Sequence, residues 1–167
     1  MKKQAFIDFL TKHQPMETEP PEEVIHLFRT ATAYFYDHPD EACIPLLVGA
    51  LGGYHDGTLL ESIAAVLHQF HQDTVVAALA QLLERVDLYT RINSANLVKD
   101  FPDDRLVVPL IDLLGEEPVE ARLSAAEALE AIGSQAAIEA GRIALEKETD
   151  PEVREILVDL IDASQER

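Results

Sequence analysis

The side chains able to do chemistry are few and scattered. His68 and His71 stand three apart, His55 precedes them, and Asp56 and Asp73 flank the set. Histidines three apart on a helix share a face and can hold one metal ion, but a site needs further ligands converging from elsewhere. Weakly positive side chains near a helix C-terminus account for the pair equally well, so no metal site is expected. Cys43 is the single cysteine; it lies in the apolar run Ala42-Cys43-Ile44-Pro45-Leu46-Leu47 with no basic neighbour in sequence. It reads as a buried structural thiol rather than a nucleophile. The sequence has no Gly-rich phosphate loop, no Cys-x-x-Cys pair and no His-Glu-x-x-His. No catalytic residue, cofactor or enzymatic activity is therefore expected.

Charge is the stronger signal. The 167 residues hold 13 Lys+Arg against 31 Asp+Glu, a formal net charge of −18. Nucleic acid and anionic membranes need a positive field, so neither is expected as a partner. A basic protein partner is compatible with this sign. The excess is uneven, with −5 on residues 104–133 and −5 on 134–167. Hydrophobic residues make up 47%, which excludes wholesale disorder. No stretch approaches the ~20 apolar residues of a membrane span. The N-terminal Met1-Lys2-Lys3-Gln4-Ala5-Phe6-Ile7-Asp8 lacks the apolar core of a secretory signal. With one cysteine and no possible internal disulfide, the expected setting is the cytoplasm.

The elements that must position these groups repeat. Four apolar segments end on Leu51, Leu83, Leu114 and Leu145, at spacings of 32, 31 and 31. Four second segments align on Leu60, Arg91, Arg122 and Arg154, at spacings of 31, 31 and 32. Apolar or small residues follow each anchor at offsets of 3, 4 and 7, which is one face of a helix. Gly52-Gly53, Gly115 and Gly133 fall where helices should end; Asp56, Asp87 and Asp150 fall where they should begin. Each unit is thus a helix pair, about 40–71, 72–103, 104–133 and 134–164. One pair cannot bury its apolar face alone, so neighbours stack within a repeat domain over 40–167. Residues 1–39 read as a helical N-terminal cap: a short helix over Gln4 to His13, a proline-rich linker at 14–21, and a longer helix from Glu22 to Asp37. Tyr34, Phe35 and Tyr36 should pack that cap onto the first pair.

These residues resemble the HEAT-repeat family. Asp150-Pro151-Glu152-Val153-Arg154 is close to its Asp-Pro-x-Val-Arg signature. Ser124-Ala125-Ala126-Glu127-Ala128-Leu129-Glu130-Ala131-Ile132-Gly133 is similar to its alanine-rich second helix. The second unit keeps Asp87 and Arg91 without the proline, and the first has Leu60 in place of the arginine and Gly57 in place of the proline. The resemblance spans roughly 40–164 and implies an all-α, right-handed α-solenoid of about four helix pairs. It also implies a structural ladder in which Asp87, Arg91, Arg122, Asp150 and Arg154 pair within and between units. An iron hydroxylase family of this type carries His-Glu ligands, and no His-Glu dipeptide occurs here. A base-excising family uses a basic face, opposite to this charge.

Second helices in such stacks line a concave face. The residues expected to point outward there include Glu61, Tyr89, Ile92, Asn93, Asn96, Glu120, Leu123, Glu127, Glu155, Ile156 and Asp159. Apolar anchors inside a polar, acidic rim match the anatomy of a protein interface. The expected function is a non-catalytic protein-binding scaffold for a basic protein or peptide, with an immunity or inhibitor role against a cationic toxin as a special case. The alternative is an accessory subunit of an enzyme, such as a HEAT-like bilin lyase.

Overall fold

A computed structural model describes residues 3–54 and 57–163. Among them are ten α-helices and no strand: α1 (Lys3–Lys12), α2 (Glu22–Asp37), α3 (Cys43–Ala50), α4 (Gly57–Leu67), α5 (Gln72–Leu83), α6 (Leu88–Leu97), α7 (Val107–Leu114), α8 (Val119–Ile132), α9 (Gln135–Leu145) and α10 (Pro151–Asp162). A 3₁₀ turn, Asp104–Leu106, leads into α7. The all-α class expected from the periodicity is the class observed. Among the described residues no helix is long and apolar enough to cross a membrane.

Side-chain caps fix several helix starts. The Asp87 carboxylate accepts from Thr90 N–H at 2.8 Å to open α6. Ser134 Oγ accepts from Ala137 N–H at 3.2 Å to open α9. Asp150 accepts from Glu152 and Val153 N–H at 3.0 and 3.2 Å, with Pro151 at the first helical position of α10. Each bond occupies a backbone donor that the helix itself leaves unpaired. The α8 helix ends on Gly133 at φ 59°, a left-handed conformation suited to glycine. Asp56, read as another helix start, lies outside the described residues.

The helices pack in two rows. Consecutive odd-numbered helices touch one another from α1 to α9, and consecutive even-numbered helices from α2 to α10. Each odd helix also contacts the even helix that follows it. The α1–α2 pair joins the rows in the same way as the later pairs, so the N-terminal segment is packed as a further unit. The core between the rows runs through Leu10, Phe35, Leu47, Leu67, Leu79, Leu97, Leu110 and Leu129, all fully buried. A smaller cluster of Ala126, Val153 and Leu157 joins α8 to α10. The α9–α10 crossing is close: a Cβ on Gly141 would lie 2.9 Å from Leu160 Cδ2.

The segment 14–21 is not a free tether. Met16 is buried, and its N–H donates to Ala50 O at 3.1 Å. Gln14 Nε2 donates to Leu46 O at 3.0 Å. The turn after α3 receives this segment so closely that a Cβ on Gly52 (φ 53°) would fall 2.2 Å from Met16 O. Asn93 on α6 closes the same turn from the other side, donating from Nδ2 to Gly52 O at 3.0 Å.

Candidate functional site

The potentially reactive groups are absorbed into structure. Cys43 is fully buried, and burial pushes its thiol pKa up to about 12. His71 Nδ1 accepts from Asp73 N–H at 3.3 Å and so caps α5. His68 instead packs at a tilt on Phe101 (ring centroids 4.7 Å apart, planes at 38°), with Nε2 3.5 Å from Asp100 Oδ1. The two histidines therefore serve different neighbours. His55 and Asp56 lie outside the described residues. Among the described residues no three His, Cys, Asp or Glu side chains converge as a metal site.

The arginines expected in a ladder find different acids from those expected. Arg91 Nη1 donates to Glu116 Oε1 at 2.5 Å and its Nε to Leu83 O at 3.0 Å. Arg122 clamps Glu148 through Nε (2.7 Å) and Nη2 (3.2 Å), and its Nη1 donates to Glu116 O and Glu117 O. Arg154 Nη1 donates to Leu145 O and Glu148 O. Asp87 and Asp150 are spent on helix caps, because their short side chains reach their own helix N-termini. The ladder arginines thus make two cross-unit ion pairs, Arg91–Glu116 and Arg122–Glu148, each running from an even helix to the loop of the following pair. The Arg122 hydrogen bond holds the Glu148 carboxyl below its ordinary value, and Glu148 raises the Arg122 guanidinium in turn.

The face of the even helices corrects the outward assignment. Glu61, Glu120, Glu155 and Asp159 are exposed, and Tyr89 is 38% exposed. Asn96 and Glu127 are half-buried. Ile92 and Asn93 are buried, at 2% and 9% exposure. The reason is crowding: α6 touches α3, α4, α5, α7 and α8, so little of its circumference meets solvent. Leu123 and Ile156 are half-buried against the α8–α10 cluster. Glu127 is engaged by Lys99 Nζ at 2.5 Å. The expected apolar anchors Ile92, Leu123 and Ile156 therefore support packing, and Tyr89 lies beside Gly53 while keeping part of its ring exposed.

Two concavities open on this row nearer the N-terminus. One, of about 290 Å³, lies between α2 and α4, with Ala33, Tyr36, Asp37 and Ser62 among its lining. The other, also about 290 Å³, lies between α4 and α6, with Leu60, Glu61, Ala64, Leu97 and Asp100. Both include Ala65, whose small side chain leaves α4 a low ridge between them. Tyr36 is 53% exposed, whereas Phe35 is fully buried and Tyr34 packs on Phe6 and His38. Arg29 also lines the first concavity and offsets its one carboxylate, Asp37, so the acidic charge lies in the second, with Glu61 and Asp100. No protein-family model matches the chain, and no curated protein matches it either.

The sequence expectation spread binding along the second helices from Glu61 to Asp159 and treated Tyr36 as packing. A signal for Tyr36 was available: Arg29, Ala33 and Tyr36 are four and three residues apart, one face of α2. The buried Phe28 and Phe35 mark a different face of the same helix.

Proposed function

We propose that this chain is a non-catalytic protein-binding scaffold, a right-handed α-solenoid of HEAT-like helix pairs that takes a basic segment of another protein. The observation that carries the reading is the pair of concavities sharing Ala65, with the Tyr36 ring, Asp37, Glu61 and Asp100 around a small-residue floor. An amphipathic basic segment suits them chemically. Its apolar side chains would cover Leu60 and Ala65, and its cations would meet carboxylates. A Lys or Arg over the exposed Tyr36 ring would add a cation–π contact. The −18 charge would speed encounter with such a partner, in a salt-dependent way. Neutralisation of a cationic toxin in the cytoplasm is the special case that this size and charge fit.

The test uses a fluorescent amphipathic peptide of Lys and Leu, followed by anisotropy at physiological ionic strength. Glu61→Lys with Asp100→Lys should weaken binding by about tenfold or more. Glu152→Lys with Glu155→Lys makes the same change in net charge on α10 and should weaken it far less. Equal losses would mean that the peptide senses only net charge, and the assignment to this face would fail.

A further inference from the structure

A cleft larger than these two concavities lies on the other row. It measures about 520 Å³, runs between α7 and α9, and is closed at one end by the loops before α8 and α10. Its floor is Ile111, Leu114, Ala140, Ile143 and Ala144. Ile111 is 45% and Ile143 57% exposed, and Val108, one turn before Ile111 on α7, is 71% exposed. Large aliphatic side chains left this open are an unpartnered surface.

The charges around this cleft differ from those of the chain. Arg122 and Lys147 line it with Glu117 and Glu148, so the lining is formally neutral on a molecule of net charge −18. Arg122 and Glu148 are already paired with each other. Among the described residues, Lys147 Nζ and the Glu117 carboxylate have no hydrogen bond or ion pair. Both lie at the loop end of the cleft, one on each side: Glu117 before α8, Lys147 before α10.

We infer that this face is a symmetric interface with a second copy of the chain. A two-fold contact sets each residue opposite a different residue of the other copy, and then the reverse. One unspent cation and one unspent anion at the same end of an apolar cleft meet that condition. Lys147 pairs with the partner's Glu117, and Glu117 pairs with the partner's Lys147. Val108 and Ile143 supply apolar relief that the opposite cleft can receive. A neutral lining offers a basic partner little local counter-charge, whereas two strongly acidic copies repel each other least where their charge cancels. The face lies on the odd-numbered row, so this pairing leaves the even-numbered row open and does not depend on what binds there.

The experiment is sedimentation velocity on the full chain, from low micromolar to near-millimolar concentration at physiological salt. The native sequence should move from the mass of one copy to that of two. Lys147→Glu alone and Glu117→Lys alone should each weaken the dimer by about tenfold or more. Lys147→Glu combined with Glu117→Lys restores both pairs and should restore the dimer. Ile143→Asp should abolish it, with an unchanged circular dichroism spectrum, because Ile143 is exposed in the single chain. A chain that stays monomeric throughout overturns the inference. So does a dimer indifferent to the single reversals, or one that the combined exchange does not rescue.

Discussion

Replacing Arg122 by Met removes a charge while keeping most of the side chain's length. In the folded chain Arg122 spends Nε and Nη2 on Glu148 and Nη1 on the carbonyls of Glu116 and Glu117. The two charged side chains are 15% and 5% exposed. Exposed pairs are worth about 0–1 kcal/mol. Removing one member of a buried pair costs about 3–5 kcal/mol, because the other charge is left without compensation. Glu148 keeps two donors after the change, the N–H groups of Thr149 and Asp150, both at 2.8 Å. The loss should therefore fall between those limits, at about 2 kcal/mol, or roughly 4–8 °C in Tm for a chain of this length. Lys99→Met is the comparison. Its pair with Glu127 is 48% and 33% exposed, so its loss should be no more than about 0.5 kcal/mol.

Acid adds a second arm to this experiment. Glu148 is held below its ordinary value of 4.5, chiefly by its bond to Arg122. A carboxyl depressed in the folded state contributes stability above its unfolded value and loses it as pH falls through the folded one. The difference between the native chain and Arg122→Met should therefore be largest near neutrality and narrow below pH 4.5. Urea and thermal unfolding followed by circular dichroism at several pH values measure both arms. Equal losses for Arg122→Met and Lys99→Met would refute the burial argument, and a difference that persists unchanged in acid would refute the electrostatic one.

Gly52→Ala should destabilise by about 3 kcal/mol or more, since the new Cβ meets the Met16 backbone at a positive φ. Gly133→Ala shares the positive φ but has its nearest neighbour at 3.4 Å, so about 1 kcal/mol is expected; urea midpoints at constant m-value separate the two. Cys43 should resist a disulfide thiol reagent at pH 8 in the folded chain and react fully in denaturant, because burial holds its pKa at about 12. Ile92→Lys should cost at least about 3 kcal/mol by burying an unpaired ammonium, while Glu61→Lys should change stability by no more than about 0.5 kcal/mol, as measured by thermal melts.

The parts legible in the sequence are those set by local rules. Asp87 and Asp150 announce helix starts because a short carboxylate can reach its own helix's free N–H groups, whatever packs nearby. Helix α2 is read from Glu22 to Asp37 because Pro21 bars a longer start. What depends on several neighbours at once was not legible. Periodicity finds a polar stripe on a helix that leans on one surface, but α6 is enclosed by five others, and so Ile92 and Asn93 are inside. The arginines of the cross-unit pairs were found and their acids were not. Arg91 and Arg122 sit in a periodic helix, whereas Glu116 and Glu148 sit in loops with no pattern to mark them. The match shows only in separation: 25 residues from Arg91 to Glu116 and 26 from Arg122 to Glu148.

Those two bridges point the same way along the chain, each from an arginine to a glutamate supplied by the next helix pair. These two partly buried bridges share a direction, whereas the exposed Arg105–Asp73 pair runs the other way, from the third helix pair back to the second. Losing the α7–α8 unit entirely would present Arg91 with Glu148 in place of Glu116, leaving no guanidinium stranded. Duplicating that unit would supply a new arginine and a new glutamate together. For the Arg91 and Arg122 bridges a whole helix pair is therefore the neutral length of insertion or removal, whereas a cut that separates either arginine from its downstream loop leaves a charge without its complement.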